Sequence, residues 1–236
     1  MGAVFILIIL FFSICTAWGQ TPLAKKAFDE AGRSANAGEF ARALKNYRAA
    51  LSVTEDGAGE FAVKLRYNLG VCHYRTGQLK AAAKEFNTAI RLSGGQHRRA
   101  FYALGMTQSA LENWPAARAS FLKAIELDPT DGEAWFDLAF VYLAEHDYER
   151  AAAAFRKAIE NRSVDAALGH NNLGVIMAMN FLFDDAAEEF RRALETSDSR
   201  LTVAKWNLEF CRAMSAGKKE LIATAGLNFA RRTCVI

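Results

Sequence analysis

The apolar and polar positions divide the chain into a short continuous apolar run and a long periodic remainder. In the periodic part, Trp135, Leu138, Ala139 and Tyr142 stand at i, i+3, i+4 and i+7, a spacing that predicts one face of a helix. A polar break at Glu145-His146-Asp147 follows, and Ala151, Phe155 and Ala158 then predict a second helix. The same two-helix pattern returns along the chain. Leu-small pairs stand at Leu69-Gly70, Leu104-Gly105, Leu138-Ala139 and Leu173-Gly174, and Leu208 continues the series. Three more columns hold one register, with spacings of 35, 34 and 35 residues: Ala82, Ala117, Ala151 and Ala186; Phe86, Phe121, Phe155 and Phe190; Ala89, Ala124, Ala158 and Ala193. Several columns in one register identify an internal repeat.

The small residues have a mechanical reason. Where the two helices of a hairpin cross closely, a large side chain would hold their axes apart. Gly or Ala on the first helix and Ala on the second remove that obstacle, and the phenylalanine column is expected to fill the space beside the crossing. Asp128-Pro129 is expected to end a second helix, because the residue before proline is steered away from helical backbone.

Carried by Trp135-Phe-Asp-Leu138-Ala139-Phe-Val-Tyr142 and then Ala151-x3-Phe155-x2-Ala158, the sequence resembles the tetratricopeptide repeat, a helix-turn-helix unit of 34 residues. Five units are expected, approximately 24–57, 63–96, 98–131, 132–165 and 167–200. The first diverges most: Glu30 replaces the repeat leucine, while Ala31, Ala43, Tyr47 and Ala50 keep the pattern, and a longer link falls at Glu55–Gly59. Residues 201–236 read as C-terminal capping helices and tail, with a sixth first helix at Thr202–Ser215 and a less regular one at Lys218–Arg232. The resemblance implies an all-α fold, a right-handed superhelical solenoid whose first helices line a concave face.

The apolar run, Val4 to Phe12, precedes any charged side chain, the first being Lys25. With small residues at Ala17 and Gly19, residues 1–19 read as a signal peptide cleaved after Gly19. The alternative is an uncleaved membrane anchor, just short of the roughly 20 residues a spanning helix needs. Either way the body is expected to be exported, to a bacterial periplasm or outside the cell, and to meet a membrane only through this segment. Composition adds one exclusion. A formal net charge of +3 does not supply the basic field that nucleic-acid binding needs, so no nucleic-acid partner is expected.

Given the resemblance, the residue before each repeat leucine is expected to face the groove: Asn68, Ala103, Asp137, Asn172 and Asn207. An asparagine there is similar to those with which some family members hold a ligand's backbone, since an amide donates and accepts at once. The alternative is that it bonds a neighbouring helix. The same face is expected to carry Tyr67, Tyr74, Tyr102, Met106, Phe136, Phe140, Val175, Trp206 and Phe210, with Lys64, Arg75 and Arg99 toward the N-terminal half and Glu133 and Asp137 further along. Aromatic residues with a polar rim are interface material, and packing against the next repeat is the competing use of each ring. The function implied is an adaptor or scaffold that binds a peptide or helix of a partner protein. The alternatives are a self-assembling homo-oligomeric scaffold and a membrane-anchored assembly factor.

No catalytic constellation, metal site or cofactor is expected. His73, His97, His146 and His170 fall at irregular intervals, without the close pairs that place two ligands on one helix face. Asp184-Asp185 and Glu188-Glu189 read as a solvated helix face. A mature chain beginning at Gln20 would hold three cysteines, Cys72, Cys211 and Cys234, an odd number that leaves at least one unpaired, and buried free thiols are expected. Asn161-Arg-Ser163 fits a glycosylation sequon in an inter-repeat turn.

Overall fold

The computed structural model describes residues 21–54, 59–161, 166–197 and 199–217. The signal segment 1–19, most of the link at 55–58, Arg162-Ser163 of the sequon, the second capping helix at 218–232 and Cys234 lie outside the described residues. Among the described residues the structure is all helical, with eleven α-helices and no strand. They are α1 Pro22–Asn36, α2 Phe40–Ser52, α3 Glu60–Arg75, α4 Leu79–Leu92, α5 Arg98–Ala110, α6 Trp114–Leu127, α7 Gly132–Ala144, α8 Tyr148–Glu160, α9 Ala166–Met179, α10 Phe183–Thr196 and α11 Thr202–Ser215. As expected, α6 stops just before Asp128-Pro129, and α7 and α8 flank the break at Glu145-His146-Asp147. No described helix is long and apolar enough to cross a membrane.

The chain forms two compact units, one up to Leu111 and the other from Glu112. In the N-terminal unit α1 pairs with α2 and α3 with α4; α2 packs on α3, and α5 packs on α4 and α3. Ala31, Ala43 and Ala50 are completely buried, and Tyr47 takes the place held elsewhere by phenylalanine. Phe28 completes this cluster, 5.4 Å from the Tyr47 ring and 5.3 Å from that of Phe61. In the next pair the mechanical reason for the small residue is visible. A Cβ added to Gly70 would lie 2.5 Å from the ring of Phe86, which is itself fully buried.

In the C-terminal unit α7 pairs with α8 and α9 with α10, while α6 packs on α7, α9 on α8, and α11 on α10 and α9. The same crossing recurs. A Cβ on Gly174 would meet the Phe190 ring at 2.8 Å, and Phe121, Phe155 and Phe190 are all fully buried. Close crossing and ring filling are therefore two sides of one packing arrangement.

Two residues before each second helix the backbone turns left-handed, at Gly38 (φ 78°), Gly77 (73°), Glu112 (57°), His146 (60°) and Phe181 (62°). Glycine adopts this conformation freely, whereas the other three crowd Cβ against the carbonyl.

Candidate partner-binding face

In the N-terminal unit the expected contact residues lie on α3 and α5. Tyr67, Tyr74 and Tyr102 are half-buried, and Lys64 and Arg99 are exposed. Lys64 Nζ donates to Glu60 Oε1 at 2.6 Å. Tyr67 is held by packing: its ring stacks on His97 at 5.1 Å and tilts against Phe86 at 5.8 Å. Burial pushes the Tyr67 hydroxyl above its ordinary pKa, and the nearby Arg99 and Arg98 guanidiniums oppose that shift. His97 caps α5: its Nδ1 accepts the backbone N–H of Ala100 at 3.0 Å, which requires the neutral ring. Burial accordingly holds the His97 pKa low, with Arg99 and Arg98 adding to the effect. Asn68 is half-buried near the Tyr47 hydroxyl, whose pKa burial pushes up to about 12.

In the C-terminal unit the expected set divides. Trp206 on α11 is 63% exposed, and Phe210, one turn on, is half-buried with its ring 6.5 Å from Phe183. Phe140 is half-buried on α7. Phe136, expected on the open face, is instead fully buried, with its ring 5.3 Å from Phe140 and 5.4 Å from Phe155. Its physical reason is packing: the ring sits against both Phe140 and Phe155 inside this helix pair instead of facing outward. Met106 and Val175 are likewise buried.

Asn172 and Asn207, also expected on the open face, are 0% and 1% exposed. Asn207 Nδ2 on α11 donates to Asn171 Oδ1 on α9 at 2.9 Å, and Asn171 Nδ2 donates to Asn172 Oδ1 at 3.1 Å. The two bonds link the three amides inside the unit, where an unpaired amide would be costly. The structure brings Asn172 and Asn207 together through Asn171. Sequence reasoning passed over Asn171, although two adjacent asparagines in so apolar a helix were a signal that amides are needed inside.

Glu189, read as part of a solvated face, is also buried. It accepts from Arg192 Nη1 at 2.9 Å and lies 2.7 Å from His170 Nδ1 on α9. The other histidines have local partners too: the buried His73 Nδ1 lies 3.1 Å from Gln78 Oε1, and His146 sits in a turn beside Tyr148. Among the described residues no group of three His, Cys, Asp or Glu is arranged to hold a metal ion. Cys72 and Cys211 are free and buried, and burial pushes both thiols up to about 11. At that pKa neither presents a thiolate near neutral pH.

Models of the tetratricopeptide repeat match residues 28–97 and 137–200, residues 99–131 and residues 120–153. No curated protein matches the chain. Among solved structures, residues 41 to the end of MamA from Desulfovibrio magneticus RS-1 superpose with a TM-score of 0.69 at 19% identity, over 77% of this chain and 99% of that one. A tetratricopeptide repeat protein from Parabacteroides merdae gives 0.68 at 20% identity, over 87% and 81%. YrrB, described as having an unusual peptide-binding site, gives 0.62 at 24% identity, over 81% and 90%. At these identities the likeness is one of fold. Matched by a repeat model over more than half its length, the chain belongs to the tetratricopeptide repeat family.

Proposed function

We propose that the protein is an exported adaptor, without catalysis of its own, that binds a peptide or helix of another protein on the faces of its first helices. The observation that carries this reading is Trp206, 63% exposed on a first helix with Phe210 one turn away. A large amphipathic ring left in water at this position is the residue type on which binding energy concentrates. Tyr67, Tyr74 and Tyr102, with exposed Arg99, offer comparable material in the N-terminal unit. A fold of this kind carries a peptide-binding site in YrrB. The role of Asn172 and Asn207 in this reading is to hold the first helices in position, since their amides are bonded through Asn171.

Export is supported by the apolar run Val4–Phe12 and the small residues before Gln20. The mass of the protein recovered from its host checks it: a mature chain starting at Gln20 is expected, and a retained Met1 would mean an anchor. For binding, crosslinked capture is run with wild type, Trp206→Ala and the Asn68/Asn172/Asn207→Ala triple variant. Loss of a partner with Trp206→Ala, in a variant that melts as wild type does, supports the reading. Unchanged recovery contradicts it.

Self-assembly is favoured by a different observation. At the α9–α10 turn Met179, Phe181 and Leu182 are 41%, 80% and 51% exposed, a run of apolar side chains in water. Light scattering of the purified protein decides this: a Phe181- and Leu182-dependent oligomer supports it, and a monomer at high concentration excludes it.

A further inference from the structure

The two units treat their surface charge in opposite ways. Residues 1–111 carry 14 Lys and Arg against 7 Asp and Glu, a net +7, whereas residues 112–236 carry 15 against 19, a net −4. The contrast is sharpest on the second helices. In the C-terminal unit, six of the seven cations on α6, α8 and α10 have a carboxylate partner: Arg118 with Glu145, Lys123 with Glu126, Arg150 with Asp147, Lys157 with Glu160, Arg191 with Glu188 and Arg192 with Glu189. Among the described residues of the N-terminal unit only one of the six cations on α2 and α4 has one, Arg42 with Glu39.

The other five, Lys45, Arg48, Lys80, Lys84 and Arg91, are exposed and make no ion pair among the described residues. Helix α2 contains no acidic residue. The single acid of α4, Glu85, is turned to Arg66 of α3 at 2.9 Å and is largely covered. The cations are also ordered. Lys80, Lys84 and Arg91 stand at i, i+4 and i+11, a stripe about 16 Å long on one helix face. Lys45 and Arg48 stand at i and i+3 on α2, which packs on α3 as α4 does.

Like charges one turn apart repel, so this face is held at a standing cost that an acidic ligand would relieve. We propose that the second-helix face of the N-terminal unit, formed by Lys45, Arg48, Lys80, Lys84 and Arg91, docks an acidic polypeptide. Charge complementarity names the ligand's sign, and the residues between the cations name its class. Ala41, Ala49, Ser52 and Asn87 are exposed there, and no exposed large apolar or aromatic residue lies on α2 or α4. The face therefore has no rings on which nucleic-acid bases would stack and no wedge to enter a lipid surface. It suits carboxylates carried at helical spacing on a partner segment, bound by many exposed charge pairs and hence sensitive to salt. The proposal rests on the protein-binding reading and adds to it the chemistry of one partner and a face separate from that of Trp206.

The test titrates the purified protein into a labelled helical peptide with Glu at i, i+4 and i+11 in an Ala/Gln background, read by fluorescence anisotropy. Saturable binding that weakens with added salt is expected, and Lys45→Glu/Lys84→Glu/Arg91→Glu should reduce affinity about tenfold or more. The same change in net charge on α1, by Lys25→Glu/Lys26→Glu/Arg33→Glu, should reduce it less than about twofold. A Gln version of the first triple gives the same answer if the Glu version loses helix content. Equal loss in both triples would reduce the effect to bulk charge and overturn the proposal, as would no saturable binding. Tighter, triple-sensitive binding of anionic phospholipid vesicles or of a single-stranded oligonucleotide would overturn it in favour of that ligand. Trp206→Ala is expected to leave peptide affinity unchanged, so failure of this proposal and failure of the adaptor reading register in different variants.

Discussion

In the N-terminal unit the two turns inside helix pairs run through glycine, Gly38 and Gly77, while the C-terminal unit places Glu112, His146 and Phe181 in the same left-handed backbone. Surface charge runs the other way. The C-terminal unit neutralises its second helices with in-chain carboxylates, and the N-terminal unit leaves Lys45, Arg48, Lys80, Lys84 and Arg91 open. What the two share is the buried frame of small residues and rings at each crossing. That frame fixes the fold, so turns and surfaces can diverge without disturbing it. Strain and exposed apolar groups coincide at Phe181, where the side chain is in water and the backbone is unfavourable, a combination that packing alone does not call for.

The comparison is broken most severely at the shared frame. Phe86→Ala in one unit and Phe190→Ala in the other should each lower stability by about 3–5 kcal/mol in urea unfolding, since both rings are fully buried. A cost in one unit only would show that the columns are not equivalent. A smaller effect separates the units. Asn171→Ala removes two buried amide bonds and should cost about 1–3 kcal/mol, whereas Asn68→Ala, at a half-buried site, should cost about 1 kcal/mol or less. The turns give opposite signs. Phe181→Gly relieves the left-handed residue and should raise stability by about 1 kcal/mol, while Gly77→Ala should lower it by a similar amount. Both are read from thermal melts.

The smallest effect is acid sensitivity in the N-terminal unit, where burial lowers the pKa of both His73 and His97. The folded chain favours the neutral rings, and the unfolded chain takes up protons near the ordinary histidine value of 6.5. Stability from this source is therefore complete above about pH 6.5, is lost as pH falls through the lower folded value, and changes no further below it. His97→Asn keeps an N-cap acceptor without a titrating group and should flatten part of that slope, as followed by the pH dependence of the melting temperature.

The fold was legible because the repeat writes its packing into short spacings. Leu69-Gly70, Ala82 and Phe86 are one crossing, and their recurrence identifies hairpins without knowledge of any distant contact. The binding face was legible only in part. Phe136 and Phe140 share a helix face, yet only Phe136 is fully buried, because burial depends on how the ring of Phe155 sits on the partner helix. Asn172 and Asn207 stand at one repeat position, and their inward bonds depend on Asn171, whose role no single unit reveals. Glu189 resembles any solvated helix carboxylate until His170 is brought across from α9. Periodicity thus reports which positions are equivalent, and pairings between helices decide which of them remain open to a partner.

The central claim, that a first-helix surface of this repeat protein engages another polypeptide, is tested most directly by placing a photocrosslinking benzophenone amino acid at position 206 of the full chain in its native host. The same probe at position 156, exposed on a second helix of the same unit, serves as the control. We expect irradiation to give a discrete adduct with a second kind of polypeptide from position 206 and none from position 156. Adducts with another copy of this chain alone, or equal labelling from both positions, would contradict the claim.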